Sequence, residues 1–174
     1  NVDGDMLFYS AIVDDNYFTA VFSNNTLTIA PAVNWSGSGL VVISVFDGEY
    51  LSEQSFTLNV LAVNDAPVLD FISDIEIDED TSTTFNLSGY DIDSESLEFS
   101  AEVDGNADIV LDGTMLTVIP NSDFNGNVQI TVILSDGELQ DSQNFNVIVN
   151  PVNDAPILDF IVDAAIDEDT QFTL

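Results

Sequence analysis

Apolar and polar residues alternate along many short stretches of the chain, which is the pattern of half-buried β-strands. In "QNFNVIVN", Phe145, Val147 and Val149 fall on one face of an extended chain, and mostly Asn residues fall on the other. The segment "SFTLNVLAV", which begins at Ser55, repeats this alternation. Gly-, Asn- and Asp-rich turn signals such as "SGYD", "LDGT" and "SDGE" separate these runs. The pattern therefore predicts an all-β chain.

The pattern predicts about seven strands between Pro67 and Pro151. We place them near residues 67–72, 83–87, 96–103, 107–112, 114–119, 127–134 and 143–150. Seven short antiparallel strands in a segment of this length are typical of a two-sheet β-sandwich of immunoglobulin type.

One segment of the sequence occurs twice in nearly identical form. "VNDAPVLDFISDIEIDEDT" begins at Val63 and returns as "VNDAPILDFIVDAAIDEDT" at Val152, a spacing of 152 − 63 = 89 residues. This period is too long for a helical solenoid unit and suits a small all-β domain. The early part of the chain also matches the later part of this unit, since "NVDGDMLFYS" aligns with "DIDSESLEFS" and "VFDGEY" with "LSDGEL".

The repeat divides the chain into three parts. Residues 1–63 are expected to form a sandwich that lacks its first two strands, and residues 64–152 a complete sandwich. Residues 153–174 would supply the first strands of a further repeat, whose apolar residues two strands alone cannot bury. We expect this tail to complete the sandwich of a neighbouring copy, head to tail. Either the chain is a window of a longer continuous array, or separate subunits exchange strands.

The charge balance is extreme, because the 174 residues include 32 Asp and Glu and no Lys, Arg or His. A net charge of −32 implies strong self-repulsion unless cations screen or bind it. Nucleic acid and anionic membrane surfaces are poor partners, because both are bound through Lys and Arg, so we predict neither nucleic-acid binding nor membrane insertion. No apolar run reaches the roughly 20 residues of a membrane-spanning helix.

The missing residue types also exclude most catalytic chemistry. Without His or Cys, zinc, thiolate and Ser-His-Asp sites cannot form, and without Lys there is neither a P-loop nor a Schiff base. Two carboxylates could still hydrolyse a glycoside, but among so many acids some pair always lies close together. We therefore predict that the chain is not an enzyme, and keep a glycosidase-associated domain as an alternative.

Acidic motifs recur at fixed places in the repeat. "NDAP" forms the linkers, "DED" (residues 78–80) lies on the early strands, a D-x-D element follows, and a lone Asp opens the "DGE" turn. Because every second loop of a sandwich emerges at the same end, the linker, the D-x-D element and the "DGE" turn should meet at the top. "DED" and "DFNG" should meet at the bottom. Such clustered oxygen ligands are what Ca²⁺ prefers.

This arrangement resembles the cadherin repeat, with its N-D-N-A-P linker, a Glu on an early strand, a D-x-D element and an Asp near the last turn. It resembles more closely the cadherin-like immunoglobulin-fold repeats of large bacterial surface proteins and adhesins, in which "VNDAP", "EDT", "DFNG" and "SDGE" are typical. The resemblance covers the whole chain. The cadherin L-D-R-E element is absent, and Asn34 stands where the second repeat has Asp123, so ion occupancy could differ between junctions.

The resemblance implies two Ca²⁺-binding junctions. The first junction, around residue 64, would use Asn64 and Asp65 of the linker with Asp91, Asp93 and Asp136 of the following domain. At the second junction, Glu79 and Asp123 would meet Asn153 and Asp154, and the next repeat would add the counterparts of Asn1, Asp3 and Asp47. Asp and Asn are also common in turns because they cap their own backbone, which is the alternative interpretation of each motif.

These observations predict an extracellular or cell-surface repeat segment, a structural or adhesive rod or fibre stiffened by Ca²⁺. Its partners would be neighbouring copies of the same repeat. The alternative is an adhesin module that binds a glycan or protein. Trp35 is the candidate for such contacts, although Trp35 and Phe124 share a repeat position and are expected to fill the lower end of each sandwich.

Overall fold

The computed structural model describes residues 4–14 and 16–173, and every regular element in these residues is a β-strand. The first sandwich, residues 4–60, contains β1 (Phe8–Ile12), β2 (Phe18–Ser23), β3 (Thr26–Pro31), β4 (Gly37–Phe46) and β5 (Leu51–Val60). The second sandwich, residues 67–150, contains β6 (Val68–Leu69), β7 (Ile75–Asp78), β8 (Thr83–Asn86), β9 (Gly89–Tyr90), β10 (Glu98–Val103), β11 (Ala107–Asp112), β12 (Met115–Pro120), β13 (Gly126–Ser135) and β14 (Gln140–Asn150). The all-β prediction is confirmed.

The second sandwich packs two main sheets face to face. One sheet has the strand order β10-β13-β14-β7 and the other β11-β12-β8, with the short pair β6-β9 beside them. All pairings are antiparallel except that of β7 with β14, which is parallel. Within the described residues up to Val60, the first sandwich has the sheet β1-β4-β5 and the hairpin β2-β3.

Strands in the two sandwiches begin at matching positions. β2, β3, β4 and β5 begin at residues 18, 26, 37 and 51, and β11, β12, β13 and β14 begin 89 residues later, at 107, 115, 126 and 140. Positive backbone φ angles recur at the same spacing, for example 56° at Asn34 and 57° at Asp123. The two stretches therefore share their turns as well as their strands.

The structure corrects the predicted strand list by adding β7 and β9. The alternation of β7 places Ile75 and Ile77 against the core and Glu76 outward. Before β7 the chain crosses from one sheet to the other, and Gln143 of β14 bridges this crossing. The Gln143 side chain accepts a hydrogen bond from the Ile72 N–H at 3.1 Å and donates one to the Ile72 carbonyl. These bonds satisfy backbone groups that no ladder reaches.

The core of the second sandwich is closed, with Val128, Ile130, Val132 and Leu134 of β13 fully inaccessible to solvent. Phe145 is 2% exposed and meets Phe85 of β8 edge to face, with ring centroids 5.5 Å apart. The three residues singled out in "QNFNVIVN" are all buried here.

Trp35 fills the lower end of the first sandwich. Its ring stacks on Tyr17 at 4.9 Å and meets Phe18 edge to face at 4.9 Å. The indole lies against Gly37, whose φ of 148° and lack of a Cβ allow this close approach. Phe124 lies in the same way against Gly126 in the second sandwich. These contacts place Trp35 as a packing residue.

Residues 151–173 form no regular strand in the single chain and are exposed throughout. Their predicted strands concern a partnered state and stay a prediction. The described residues contain no helix that is long and apolar enough to cross a membrane.

Matched substitutions test the difference in core closure. Phe145→Ala should lower the free energy of unfolding by about 3–5 kcal/mol, because it removes a fully buried ring. Phe56→Ala, at the matching position 89 residues earlier, should cost clearly less in dilute protein, because Phe56 is already 43% exposed. Urea unfolding measures both, with circular dichroism for the whole chain and fluorescence of the single Trp35 for the first sandwich. Equal losses would contradict the open core of the first sandwich.

Candidate metal centre

At the first junction, the linker is held by carboxylates of two loops of the second sandwich. The Asn64 side-chain amide donates a hydrogen bond to Asp136 Oδ2 at 2.7 Å, and the Asp65 N–H donates to Asp93 Oδ2 at 2.8 Å. The linker, the D-x-D element and the "DGE" turn therefore meet at one end of the second sandwich. Two carboxylates of the second sandwich, Asp93 and Asp136, thus lie directly against the linker residues Asn64 and Asp65.

Asp91 lies in the same loop as Asp93 and has one oxygen without a partner among the described residues. Its Oδ1 accepts hydrogen bonds from the N–H groups of Asp93 at 2.7 Å and Ser94 at 2.8 Å. Its Oδ2 is buried and accepts none from the described residues. Leaving a buried acceptor unpaired costs about 1–3 kcal/mol, and more for a charged group. A bound cation would satisfy this oxygen, so the residues present fit a hard metal ion.

Asp136 is held in its ionised form by its surroundings. The N–H of Leu139, the Asn64 amide and the N–H of Glu138 donate to its carboxylate and lower the pKa of Asp136 below its usual value of 3.8. Asp47, at the same place in the first sandwich, has its pKa lowered by the N–H groups of Tyr50 and Glu49. Each therefore stays a carboxylate, the form that binds metal.

At the second junction, three carboxylates from separate segments come together. Oxygen atoms of Asp80, Asp123 and Asp154 all lie within 4.8 Å of one another. Asp80 follows β7, Asp123 lies in the "DFNG" turn, and Asp154 lies in the linker. The Asp123 N–H donates to Asp80 Oδ1 at 3.1 Å, which fixes the two loops against each other. Two oxygens that are each about 2.4 Å from one Ca²⁺ lie at most about 4.8 Å apart, so the spacing fits a shared ion.

Glu79 lies at the second junction, as the sequence predicts, and contacts the first residues of the linker. The Glu79 side chain is 6% exposed. Its Oε1 accepts from the Val152 N–H at 2.6 Å and its Oε2 from the Asn125 amide at 3.3 Å. Its own N–H donates to the Asn150 carbonyl at 2.9 Å. Glu79 therefore fastens the start of the linker, which positions Asp154, and lies outside the group of three carboxylates.

Asp80 is the residue that the sequence analysis missed. It belongs to the quoted "DED" motif, but the resemblance to cadherin repeats selects the Glu of that motif, Glu79. A φ of 61° at Asp80 ends the alternation and turns the chain toward the "DFNG" loop. An Asp in a left-handed conformation directly after a strand is the signal that could have identified it.

The two linkers have the same local geometry. Asn64 donates its side-chain amide to the Asp65 carbonyl at 3.1 Å, and Asn153 donates to the Asp154 carbonyl at 3.0 Å. At the first junction Asn34 occupies the position of Asp123, and Asn34, Asp65 and Asp93 line one pocket. Asn1 and Asp3 lie outside the described residues.

Comparison with known proteins agrees with the fold. Residues 64–148 match the sequence profile of a family described as bacterial Ig domain. The EC1-2 region of human protocadherin-24 has a similar structure, with a TM-score of 0.53 at 19% identity over 87% of this chain and 85% of that chain. The chain thus has an immunoglobulin-like β-sandwich fold.

Two further similarities involve much larger proteins. Chitinase A of Pseudoalteromonas piscicida is 27% identical over 164 residues, which cover 91% of this chain and 20% of that protein. The chain therefore spans about a fifth of the length of this curated relative. An endo-fucoidan hydrolase of glycoside hydrolase family 107 is 17% identical over 87% of this chain and 24% of that chain, with a TM-score of 0.41.

The pH dependence of stability tests the state of Asp136. Its pKa is lowered in the folded state, so its contribution is fully present above the unfolded pKa near 3.8 and is lost as pH falls through the lower folded value. Asp136→Asn cannot titrate. With chelator present, the unmodified chain should have a higher melting temperature than Asp136→Asn. This difference in melting temperature should shrink as the pH falls below 3.8.

Glu138→Gln is the matched control, because it removes the same charge from the same turn without removing an acceptor used there. Its difference from the unmodified chain should not shrink in that way. Parallel thermal melts between pH 2.5 and 5, flanking the usual value of about 3.9 for Asp, measure both. An advantage over Asp136→Asn that stays constant across this range contradicts the assignment.

Proposed function

We propose that this chain is a segment of an extracellular array of bacterial Ig-type repeats that acts as a non-catalytic spacer, with Ca²⁺ stiffening the junctions between repeats. The observation that carries this proposal is the convergence of Asp80, Asp123 and Asp154, from three segments, at the linker. The match of residues 64–148 to bacterial Ig domains supports the type of array.

The need for a cation follows from electrostatics. Two unit charges 4.8 Å apart repel by about 1 kcal/mol even in bulk water, and the three carboxylates form three such pairs. The chain contains no Lys, Arg or His that could offset this repulsion. The counter-charge must therefore come from solution.

Ca²⁺ is the ion that this set of ligands suits. Carboxylate and carbonyl oxygens favour hard cations, and extracellular modules bind Ca²⁺ with Kd values of roughly 10⁻⁴–10⁻³ M, which matches its availability outside cells. Asp80, Asp123 and Asp154 would hold the ion at the second junction, and Asp65, Asp91, Asp93 and Asp136 at the first. The ion supplies positive charge that ties the linker to the sandwich loops. The protein's own part is the Glu79 clamp, which holds Val152 and so limits linker motion.

A module that binds glycans is the second candidate, because the similarity to chitinase A covers 91% of this chain. The pocket beside Trp35 is the place where such binding would be sought. Pull-down on chitin, together with an assay for released reducing sugar, tests binding and catalysis separately. Retention on chitin would favour this candidate over a spacer, and sugar release would overturn the non-catalytic role.

Calcium removal should destabilise the chain. Binding to the folded state alone stabilises by about 2.7 kcal/mol when free Ca²⁺ is a hundredfold above Kd. Calorimetry in low salt should therefore show a higher melting temperature with Ca²⁺ than with chelator, and Asp93→Ala should lose much of this shift at the first junction. Identical melting curves with and without chelator would contradict the proposed calcium binding.

The two junctions should also differ in affinity. Asp123→Asn installs in the second repeat the residue that the first repeat has at Asn34. It should weaken Ca²⁺ binding at the second junction by a factor on the order of ten, because it removes one carboxylate ligand. Asp112→Asn removes an equal charge from the opposite end of β11, where Asp112 pairs with Met115, and is the control. Isothermal titration measures both, and equal losses would mean that net charge alone governs binding.

A further inference from the structure

The outer face of the sheet β1-β4-β5 is apolar where the matching face of the second sandwich is polar. We call six outward residues of this sheet the apolar face: Phe8, Ile12, Leu40, Val42, Phe46 and Leu51. Apart from the half-buried Val42, each is exposed by between 40% and 64%. The residues at the matching places of the second sandwich are Glu98, Glu102, Gln129, Thr131, Ser135 and Gln140. All six matches are polar, so the contrast is specific to the first sandwich.

The direction of these side chains follows from their neighbours on the same strands. Tyr9 of β1 meets Phe22 of β2 inside the sandwich, with ring centroids 6.0 Å apart. Val41 of β4 is fully inaccessible to solvent. Because successive side chains of a strand point to opposite faces, Phe8 and Leu40 point outward.

The strands that complete a sandwich leave this face open. In the second sandwich, β7 lies beside β14 in the plane of its sheet and β8 lies in the opposite sheet, so neither strand covers the outer side. Glu98, Glu102, Gln129 and Gln140 are accordingly exposed there. Covering the apolar face of the first sandwich therefore requires a separate partner.

Strand pairing arranges the apolar face in rows. Phe8, Phe46 and Leu51 lie opposite one another across three strands and form the first row. Ile12 and Val42 form a second row, four residues further along each strand. Cross-strand neighbours of this kind form a continuous apolar surface, because their Cβ atoms are only about 4.5–5.5 Å apart.

A carboxylate lies between the two apolar rows. Ser10, Ser44 and Glu53 form the middle row, and the Ser44 hydroxyl donates a hydrogen bond to Glu53 Oε1 at 2.9 Å. The Glu53 side chain is exposed, and Asp47 and Glu49 lie in the turn that joins β4 to β5. The chain contains no Lys, Arg or His that could balance these charges. A complementary partner is therefore apolar and basic.

The size of the face selects the kind of partner. From Leu40 to Phe46, 46 − 40 = 6 steps of about 3.4 Å give a length of about 20 Å, and three strands give a width of about 14 Å. The product is roughly 300 Å², whereas a standard interface buries about 800 Å² on each partner. A second copy would also bring a further charge of −32. A short extended segment fits the face better than a second copy does.

We propose that the apolar face binds an extended segment of another protein with the pattern apolar-x-basic-x-apolar, where the basic residue is Lys or Arg. Alternate side chains of an extended segment are about 6.8 Å apart, which is also the spacing of successive rows on the face. The two apolar side chains cover the two apolar rows, and the basic group meets Glu53. The charge pair supplies specificity, because the apolar rows alone accept any apolar segment. This inference adds a binding surface to the proposed spacer and does not depend on Ca²⁺.

Fluorescence anisotropy with a dye-labelled peptide tests the proposal on the full chain in chelator. The probe is the capped peptide Lys-Thr-Phe-Thr-Lys-Thr-Ile-Thr-Lys, which places Phe, Ile and every Lys on one side of an extended chain. The control peptide Lys-Phe-Thr-Thr-Lys-Ile-Thr-Thr-Lys has the same composition but places Phe and Ile on the side opposite Lys. We expect the probe to bind about tenfold more tightly than the control peptide.

Variants of the chain locate the binding surface. Phe46→Ser combined with Leu40→Gln installs the residues that the folded second sandwich has at these places, Ser135 and Gln129. This double variant should weaken binding of the probe by about tenfold. Val21→Thr removes a side chain that is 62% exposed on β2, in the other sheet, and should leave the affinity unchanged. Far-UV circular dichroism confirms that each variant is folded.

The charge pair has its own test. Glu53→Gln keeps an oxygen that can accept from Ser44 but removes the charge, so it should weaken binding of the probe several-fold. Glu138→Gln removes the same charge from the second sandwich and should have a smaller effect. The difference between these two variants should also decrease as NaCl is raised, because salt screens an exposed charge pair. Equal effects of Glu53→Gln and Glu138→Gln would overturn the assignment of Glu53.

Several results would overturn the inference as a whole. These are the absence of binding at millimolar peptide, equal affinity for the two peptides, or binding that the double variant leaves intact. Self-association that the double variant abolishes would assign the face to a second copy, and retention on chitin that it abolishes would assign the face to a neutral glycan. Because chelator is present, a failure of calcium binding leaves these results unchanged, so the two proposals can fail separately.

Discussion

The absence of any cationic side chain is the constraint on which the rest of the structure depends. Every carboxylate must be balanced by backbone N–H groups, by side-chain amides, by water or by ions from solution. The chain uses the first two at the junctions: Asp136 receives two N–H groups and an amide, and the buried Glu79 receives the Val152 N–H and the Asn125 amide. The buried Asp91 oxygen that accepts no hydrogen bond lies in the loop beside the first linker, and the group of three close carboxylates lies at the second.

The sequence predicts well those strands in which apolar and polar residues alternate clearly. β11 to β14 lie within a few residues of their predicted places, because one face of each is buried and local alternation reports it directly. β7 and β9 have four and two residues and depend on distant partners, β14 for β7 and β6 for β9. No local pattern can report such pairing, since the partner residue is 147 − 75 = 72 positions away for β7 and 90 − 68 = 22 positions away for β9.

The site shows the same division between local and distant information. The grouping of motifs at either end of a sandwich follows from the alternation of loops. The alternation of loops does not show that Asp80, and not Glu79, joins the group of three carboxylates. That outcome depends on the left-handed conformation of Asp80 after β7 and on the linker backbone that Glu79 binds. Likewise, the sequence predicts that residues 1–63 form a sandwich that lacks two strands. The structure adds how open that core is, because Phe56 is 43% exposed and Phe145 is 2% exposed.

The parallel pairing of β7 with β14 has a mechanical consequence. β7 lies near the start of the second sandwich and β14 at its end, and the two run side by side in the same direction. Tension applied at the two linkers pulls these strands past each other along their length. The hydrogen bonds between them are then loaded in shear, all at the same time, and do not break one after another. The second sandwich therefore resists stretching through the β7–β14 pairing, and its hairpins lie outside this direct path of force.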